Sequence, residues 1–236
     1  MNNDICQNFE NTELVKELEP GGQKDVFVVN SQKYGECILK LIPISKSDRV
    51  LREIEIITTH KISNVPKIFE SGYKTINGKE NLYIFEEYIE GTNLTKKLQQ
   101  GKLSLAETYK LLETLLSIEK ELEVANIVHR DIKPDNILID NSGNYYLIDF
   151  GIARALDMKS LTMTKALVGP HTPGYGAPEL FQYNKGEIGI KSDLFSIGVV
   201  AYECIIGKHP FMIKEDDDIG ERWYKTRTVM PDDINV

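Results

Sequence analysis

A chain of 236 residues is long enough for one large domain or two small lobes around a cleft, and its 41% hydrophobic content excludes a disordered protein. With 28 Lys+Arg against 36 Asp+Glu, the net charge of −8 argues against nucleic acid or an anionic membrane as partner. Cys6, Cys37 and Cys204 show no metal-ligand spacing, and an odd count without a disulfide pattern fits a reducing, cytoplasmic setting.

Met1 to Glu10 lacks the basic stretch and apolar core of a signal peptide. Strands are predicted over Asp25-Val-Phe-Val-Val29 and Glu36-Cys-Ile-Leu-Lys-Leu-Ile42, joined by the turn-rich 30–35 and ended by Pro43. Lys46 to Thr59 reads as a helix with Val50, Ile54 and Ile57 on one stripe. Two more strands, Lys67 to Ser71 and Asn81 to Glu86, flank the Asn77-Gly78 turn. Gly91-Thr-Asn93 marks a link, after which helices dominate. Ser104 to Leu122 has helical periodicity, and Glu107 stands three residues after Ser104, the spacing of a capping box. Ile137 to Ile139 and Tyr145 to Ile148 read as short strands around the Asn141-Ser-Gly143 turn. Leu194 to Ile206 is too short to span a bilayer and reads as a buried helix, and the acidic 215–218 reads as a solvated loop.

The chemistry is concentrated in His129-Arg-Asp-Ile-Lys-Pro-Asp-Asn136 and Asp149-Phe-Gly151. Phosphoryl transfer is mostly positioning and charge stabilisation. It needs a carboxylate to orient the attacking hydroxyl, a cation for the transferred group, and oxygen ligands for magnesium. Asp131, Lys133, Asn136 and Asp149 offer these types, with Asn136 five and Asp149 eighteen positions after Asp131. Lys40 lies within an apolar strand, where an unpaired ammonium is costly, so it needs an anionic partner. Glu53 or Glu55 can supply it. Counting 100° per residue favours Glu53, which is nearer the apolar stripe.

On these motifs the chain resembles the eukaryotic-type (Hanks-type) serine/threonine protein kinases, over nearly its whole length and with a build that fits a bacterial member. The resemblance implies an α+β, two-lobed fold. Residues 1–88 would form a small antiparallel β-sheet lobe with one helix, and 89–236 a larger, mainly helical lobe lacking its last helices. It implies ATP with Mg2+, or Mn2+ in its place, and a protein substrate.

The roles it implies are specific. Asp131 would orient the substrate hydroxyl, and Asn136 and Asp149 would hold the metal. Lys40 would meet the nucleotide phosphates, paired with Glu53, which Arg52-Glu-Ile54 also matches to the family. Glu87 and Ile89 fall in the hinge that receives the adenine. Glu86 stands just before the hinge, where the family more often has an apolar residue, and suggests a polar pocket or a partner lysine. The phosphate-covering loop is eroded: Gly21 alone falls in place, Gly22 partly compensates, and Lys24 replaces a glycine as a charge-neutralising group. Lys133, Thr172 and Ala177-Pro-Glu179 match serine/threonine rather than tyrosine kinases. Thr162 and Thr164 fall where family members carry regulatory phosphates, and Arg130 would pair with such a phosphate. Asp193 is either the anchor of the catalytic loop or a simple helix-start residue.

Glu179 pairs in the family with an arginine from helices beyond residue 236, with Arg222 or Arg227 as substitutes here. That mismatch implies a fragment of a longer protein, or self-association covering an exposed underside of 194–206. Two other readings compete: a catalytically impaired interaction module, suggested by the eroded loop, and a small-molecule phosphotransferase, disfavoured by Lys133 and Ala177-Pro-Glu179.

Overall fold

Val, Ile, Leu and Phe dominate 25–43 and 82–85, and these stretches form the centre of an antiparallel sheet in the computed structural model. It describes residues 8–18, 24–43, 54–55, 58–149, 172–181, 189–214 and 216–234. They fall into two compact units: Met1–Lys61 with Pro66–Glu90, and Ile62–Val65 with Gly91–Val236.

In the first unit, β1 (Thr12–Glu17), β2 (Asp25–Ser31), β3 (Gly35–Pro43), β4 (Ile68–Ile76) and β5 (Lys79–Glu87) are ordered β1-β2-β3-β5-β4. β2 and β3 form a hairpin that pairs Val26 with Lys40 and Val28 with Ile38, and β3 pairs Lys40 with Ile84 on β5. Because side chains alternate between faces, Phe27, Val29, Leu39, Leu41 and Phe85 cluster on one side. Val26, Val28 and Ile38 lie on the other. Phe9 closes the first cluster, meeting Tyr83 and Phe85 edge-on at centroid distances of 5.2 and 5.3 Å.

The strands outrun the sequence expectation at several ends, because register-paired neighbours extend them to the Asn77-Gly78 turn. Both turn residues have positive φ, 51° and 75°, as a two-residue hairpin with Asn-Gly requires. β1 was not expected: its Thr-Glu-Leu-Val-Lys-Glu sequence is mostly exposed and carries too little apolar signal to announce a strand. Of the expected helix 46–59, the described residues 54, 55, 58 and 59 are helical, and Ile54 is buried.

The second unit opens with β6 (Gly91–Asn93), a strand where only a link was expected, followed by α1 (Leu94–Leu98). β6 joins β7 (Ile137–Asp140) and β8 (Tyr145–Leu147) in a small antiparallel sheet. Gly91 is required there, since a Cβ would run into the Ile139 carbonyl. α2 (Leu105–Val124) packs against α4 (Ile190–Ile206), and α3 (Pro178–Phe181) and α5 (Ile219–Thr228) are the other α-helices of this unit among the described residues. Leu111, Leu115, Ile118 and Leu122 of α2 meet Ile197, Val200 and Cys204 of α4 in one core with Ile132, Ile137 and Leu147.

Ser104 caps α2 reciprocally: its hydroxyl accepts from the Glu107 amide at 3.2 Å, and the Glu107 carboxylate accepts from the Ser104 amide at 2.8 Å. Ser104→Ala is expected to cost about 1 kcal/mol, read as a lower urea midpoint at unchanged slope. An unchanged midpoint would show that water replaces the cap at no cost.

Two expectations for the C-terminal region are corrected. The acidic run does more than face solvent: Asp218 caps α5 by accepting from the Glu221 amide at 2.7 Å, and Asp217 pairs with Lys225 at 2.6 Å. The underside of 194–206 is largely covered. Among the described residues Leu194 is its one exposed large apolar side chain; Phe195 stacks on Phe211, and Tyr202 donates to the Asp232 carbonyl.

Candidate active site

The residues of the 129–136 motif are held from the α4 side. Asp193, fully buried in the first turn of α4, accepts the backbone N–H of His129 at 2.6 Å and of Arg130 at 2.8 Å. Of its two sequence readings, the geometry is that of a loop anchor. His129 is also fully buried; its Nδ1 accepts from the Asp131 amide at 3.3 Å, and its Nε2 lies 3.2 Å from the Ile148 carbonyl. Arg130 and Asp149 both sit in the left-handed region, with φ of 67° and 62°. Non-glycine residues adopt that conformation at some cost, and such outliers gather at functional sites.

Asp131, Lys133, Asn136 and Thr172 form one hydrogen-bonded group. Asn136 Nδ2 donates to the Asp131 carbonyl at 2.8 Å and to its carboxylate Oδ2 at 3.0 Å. Thr172 Oγ1 donates to Asp131 Oδ1 at 2.9 Å, and Lys133 Nζ donates to Thr172 Oγ1 at 2.9 Å. Lys133 Nζ also stands 3.6 Å from Asp131 Oδ2. A short 3-10 turn, Pro134–Asn136, bends the chain so that Asn136 points back at Asp131. The Ile148 amide donates to the Asn136 carbonyl at 2.9 Å, tying the approach to Asp149 to the same loop.

The segment from Thr172 to Phe181 is fastened to α4. Ser196 Oγ donates to the Tyr175 carbonyl at 2.8 Å, and Tyr175 Oη donates to the Glu203 carboxylate at 2.6 Å. Ser192 Oγ donates to Glu179 at 2.7 Å. Glu179 is therefore served by a serine hydroxyl, whereas Arg222 donates to the carbonyls of Asp217 and Lys214.

Assigned from its hydrogen bonds, the Asn136 amide nitrogen faces Asp131, which turns Oδ1 the other way. That oxygen and the Asp149 carboxylate are each hard oxygen donors, the type magnesium prefers. Among the described residues no trio of His, Cys, Asp or Glu is gathered that could hold a metal ion.

In the first unit, Lys40 of β3 and Glu86 of β5 form a salt bridge, both residues being buried. Glu86 is thus a partner of Lys40. The expected partner Glu53 lies outside the described residues, as do Gly21, Gly22, Thr162 and Thr164, while Glu55 is exposed. Lys24, just before β2, is half-buried. Glu87 bonds Lys67 through its backbone amide at 2.8 Å and accepts the Lys67 amide on its carboxylate at 3.2 Å; Ile89 is half-buried.

Glu119 of α2 was missed by sequence reading. It is 2% exposed, and neither carboxylate oxygen has a hydrogen-bond partner among the described residues. Burial first, and then the charge of Asp193, push its pKa up to about 8. Burial also raises Asp193, to about 6, against the lowering by the Arg130 and His129 amides. The signal was present in the helix count: Glu119 follows Leu115 by four residues and precedes Leu122 by three, on the apolar stripe.

Comparison with known proteins bears on this arrangement. The family model for the protein kinase domain matches residues 21–233. A probable serine/threonine-protein kinase pknA2 from Bifidobacterium longum is 30% identical over 209 residues, 84% of this chain and 27% of its own. The Arabidopsis thaliana serine/threonine-protein kinase RUNKEL is 36% identical over 184 residues, covering 78% of this chain and 13% of its own length. CBL-interacting serine/threonine-protein kinase 2, also from Arabidopsis thaliana, is 32% identical over 187 residues, 79% of this chain and 39% of its own. The chain therefore spans well under half the length of each of these relatives.

Proposed function

This chain belongs to the protein kinase family, and on that premise we propose that it transfers the γ-phosphoryl group of ATP to serine and threonine hydroxyls of proteins. The observation that carries the proposal is the hydrogen-bonded group of Asp131, Lys133, Asn136 and Thr172. A carboxylate beside a hydroxyl donor is the arrangement that a substrate hydroxyl would enter, with Thr172 marking where that hydroxyl meets Asp131. Asp131 would orient the nucleophile and take its proton as the bond to phosphorus forms. Lys133 would steady the negative charge on the transferred group. Asn136 and Asp149 would hold Mg2+, which when bound screens the phosphate oxygens. Lys40 would meet the nucleotide phosphates, with Gly21, Gly22 and Lys24 covering them and Glu87 and Ile89 at the adenine.

Among the described residues no helix is long and apolar enough to cross a membrane; the unpatterned cysteines and acidic charge support action on proteins in a cytoplasmic setting. Neither the site nor the relatives favour a catalytically impaired interaction module over the enzyme. Radiolabelled ATP and Mg2+ with a generic basic protein should give phosphoserine and phosphothreonine. Absence of transfer by the pure, folded chain would overturn the proposal.

The same reading extends to regulation. The Arg130 Nε is buried without a hydrogen-bond partner among the described residues. A phosphate on Thr162 or Thr164 would bring about −1.5 to −2 charges to pair with such a guanidinium. Mass spectrometry after incubation with Mg-ATP is expected to find phosphate on one of these threonines. Undiminished activity with both changed to alanine would exclude a required switch.

A further inference from the structure

The Lys40–Glu86 pair is not needed to build the sheet. In the β3–β5 register Lys40 stands opposite Ile84 and Ile38 opposite Glu86, so the two charged residues are diagonal neighbours on one face. Val26, Val28 and Ile38 form the apolar part of that face. Lys40 is 7% exposed and Glu86 9% exposed. Removing two charges from water is costly, and an apolar residue at 86 would continue the face without that cost. The pair is therefore better explained by what it does to Lys40 than by stability.

We propose that Glu86 is a positioning residue for Lys40, holding its ammonium from the adjacent strand of the same sheet. β3 and β5 are joined by continuous backbone pairing from Cys37↔Glu87 to Pro43↔Asn81. A carboxylate on β5 thus holds Nζ from a strand backbone-paired with the one that carries it. An ammonium has three donors, so one bond to Glu86 is compatible with further anions on the same nitrogen. Glu86 does not touch the reacting atoms; it acts through Lys40. The inference rests on the proposal that this chain transfers phosphoryl groups and that Lys40 meets the phosphates.

The test uses the full chain with Glu86→Gln, which keeps the shape and removes the charge. kcat is expected to fall roughly 10- to 100-fold, the effect of a misplaced charged group, with the KM for Mg-ATP changing less than about threefold because nucleotide binding draws on other contacts. A partner with a merely structural role would lower the melting temperature and leave kcat of the folded protein alone. If Glu86→Gln melts below the assay temperature, both proteins are compared at a lower temperature at which the variant stays folded.

Urea midpoints of Lys40→Met, Glu86→Met and the double variant complete the cycle. Each single variant should lose stability by leaving a buried charge, and the double variant should regain most of it. An unchanged kcat overturns the positioning role, and additive midpoints overturn the pair. An inactive parent chain overturns the phosphoryl-transfer reading instead, and the midpoints then judge the pair on their own.

Discussion

Asp131→Asn is expected to lower the rate of phosphoryl transfer about 10²- to 10⁴-fold, the range for loss of a positioned acid–base group, while leaving the chain folded. The substitution keeps the size of the side chain, and its carbonyl oxygen can still accept from Thr172 as Asp131 Oδ1 does at 2.9 Å. What it removes is the charge facing Lys133 at 3.6 Å and the second acceptor used by Asn136. An amide cannot take the proton of an attacking hydroxyl, so the loss should appear in kcat and not as unfolding. Asp149→Asn should show a comparable loss, with a steeper demand for Mg2+. Full activity in Asp131→Asn, measured by transfer from labelled ATP, would sink the proposed function.

Stability is expected to fall as pH rises through neutrality, and Glu119 to be the main cause. Its folded pKa of about 8 stands well above the ordinary carboxylate value of 4.5. From about pH 4.5 to 8 the folded chain therefore holds a proton that the unfolded chain has released. Where the native state binds more protons, stability falls with rising pH. The contribution is whole below the unfolded value, erodes across that window and levels off above the folded value. A shift of this size is worth on the order of a few kcal/mol, a large part of the roughly 5–15 kcal/mol that holds a domain together.

The ionised Glu119 would also face Asp193, the anchor of the catalytic loop, with Glu123 adding to the repulsion. Glu119→Leu, which continues the apolar stripe, should flatten the profile and be more stable than the parent at pH 8.5. Urea melts of both proteins at pH 6 and pH 8.5 measure this. Equal losses in parent and variant would show that Glu119 is not the titrating group.

Much of this was legible in the chain. The Ser104 and Glu107 spacing announced a capped helix and Asn77-Gly78 a tight hairpin, and the order of Asp131, Lys133 and Asn136 announced the group that Thr172 joins in the candidate site. Each of these signals is local: backbone preference, helical period or motif spacing is written within a few neighbouring residues. The weak strands β1 and β6 were not legible, because exposed or three-residue strands gain their stability from the partner strand and not from their own pattern.

The sequence by itself therefore determined the types of candidate catalytic groups, their order and the class of fold. Tertiary structure alone decided which residues complete them. Lys40 meets Glu86 only because strand register sets them on one diagonal. Asp193 becomes the anchor of His129 and Arg130, and Glu119 its buried neighbour, only because α2 and α4 pack face to face. The left-handed φ of Arg130 is likewise no preference of that residue type, and its N–H is held by Asp193. Such pairings join residues dozens of positions apart, and their energies depend on geometry that no local pattern records.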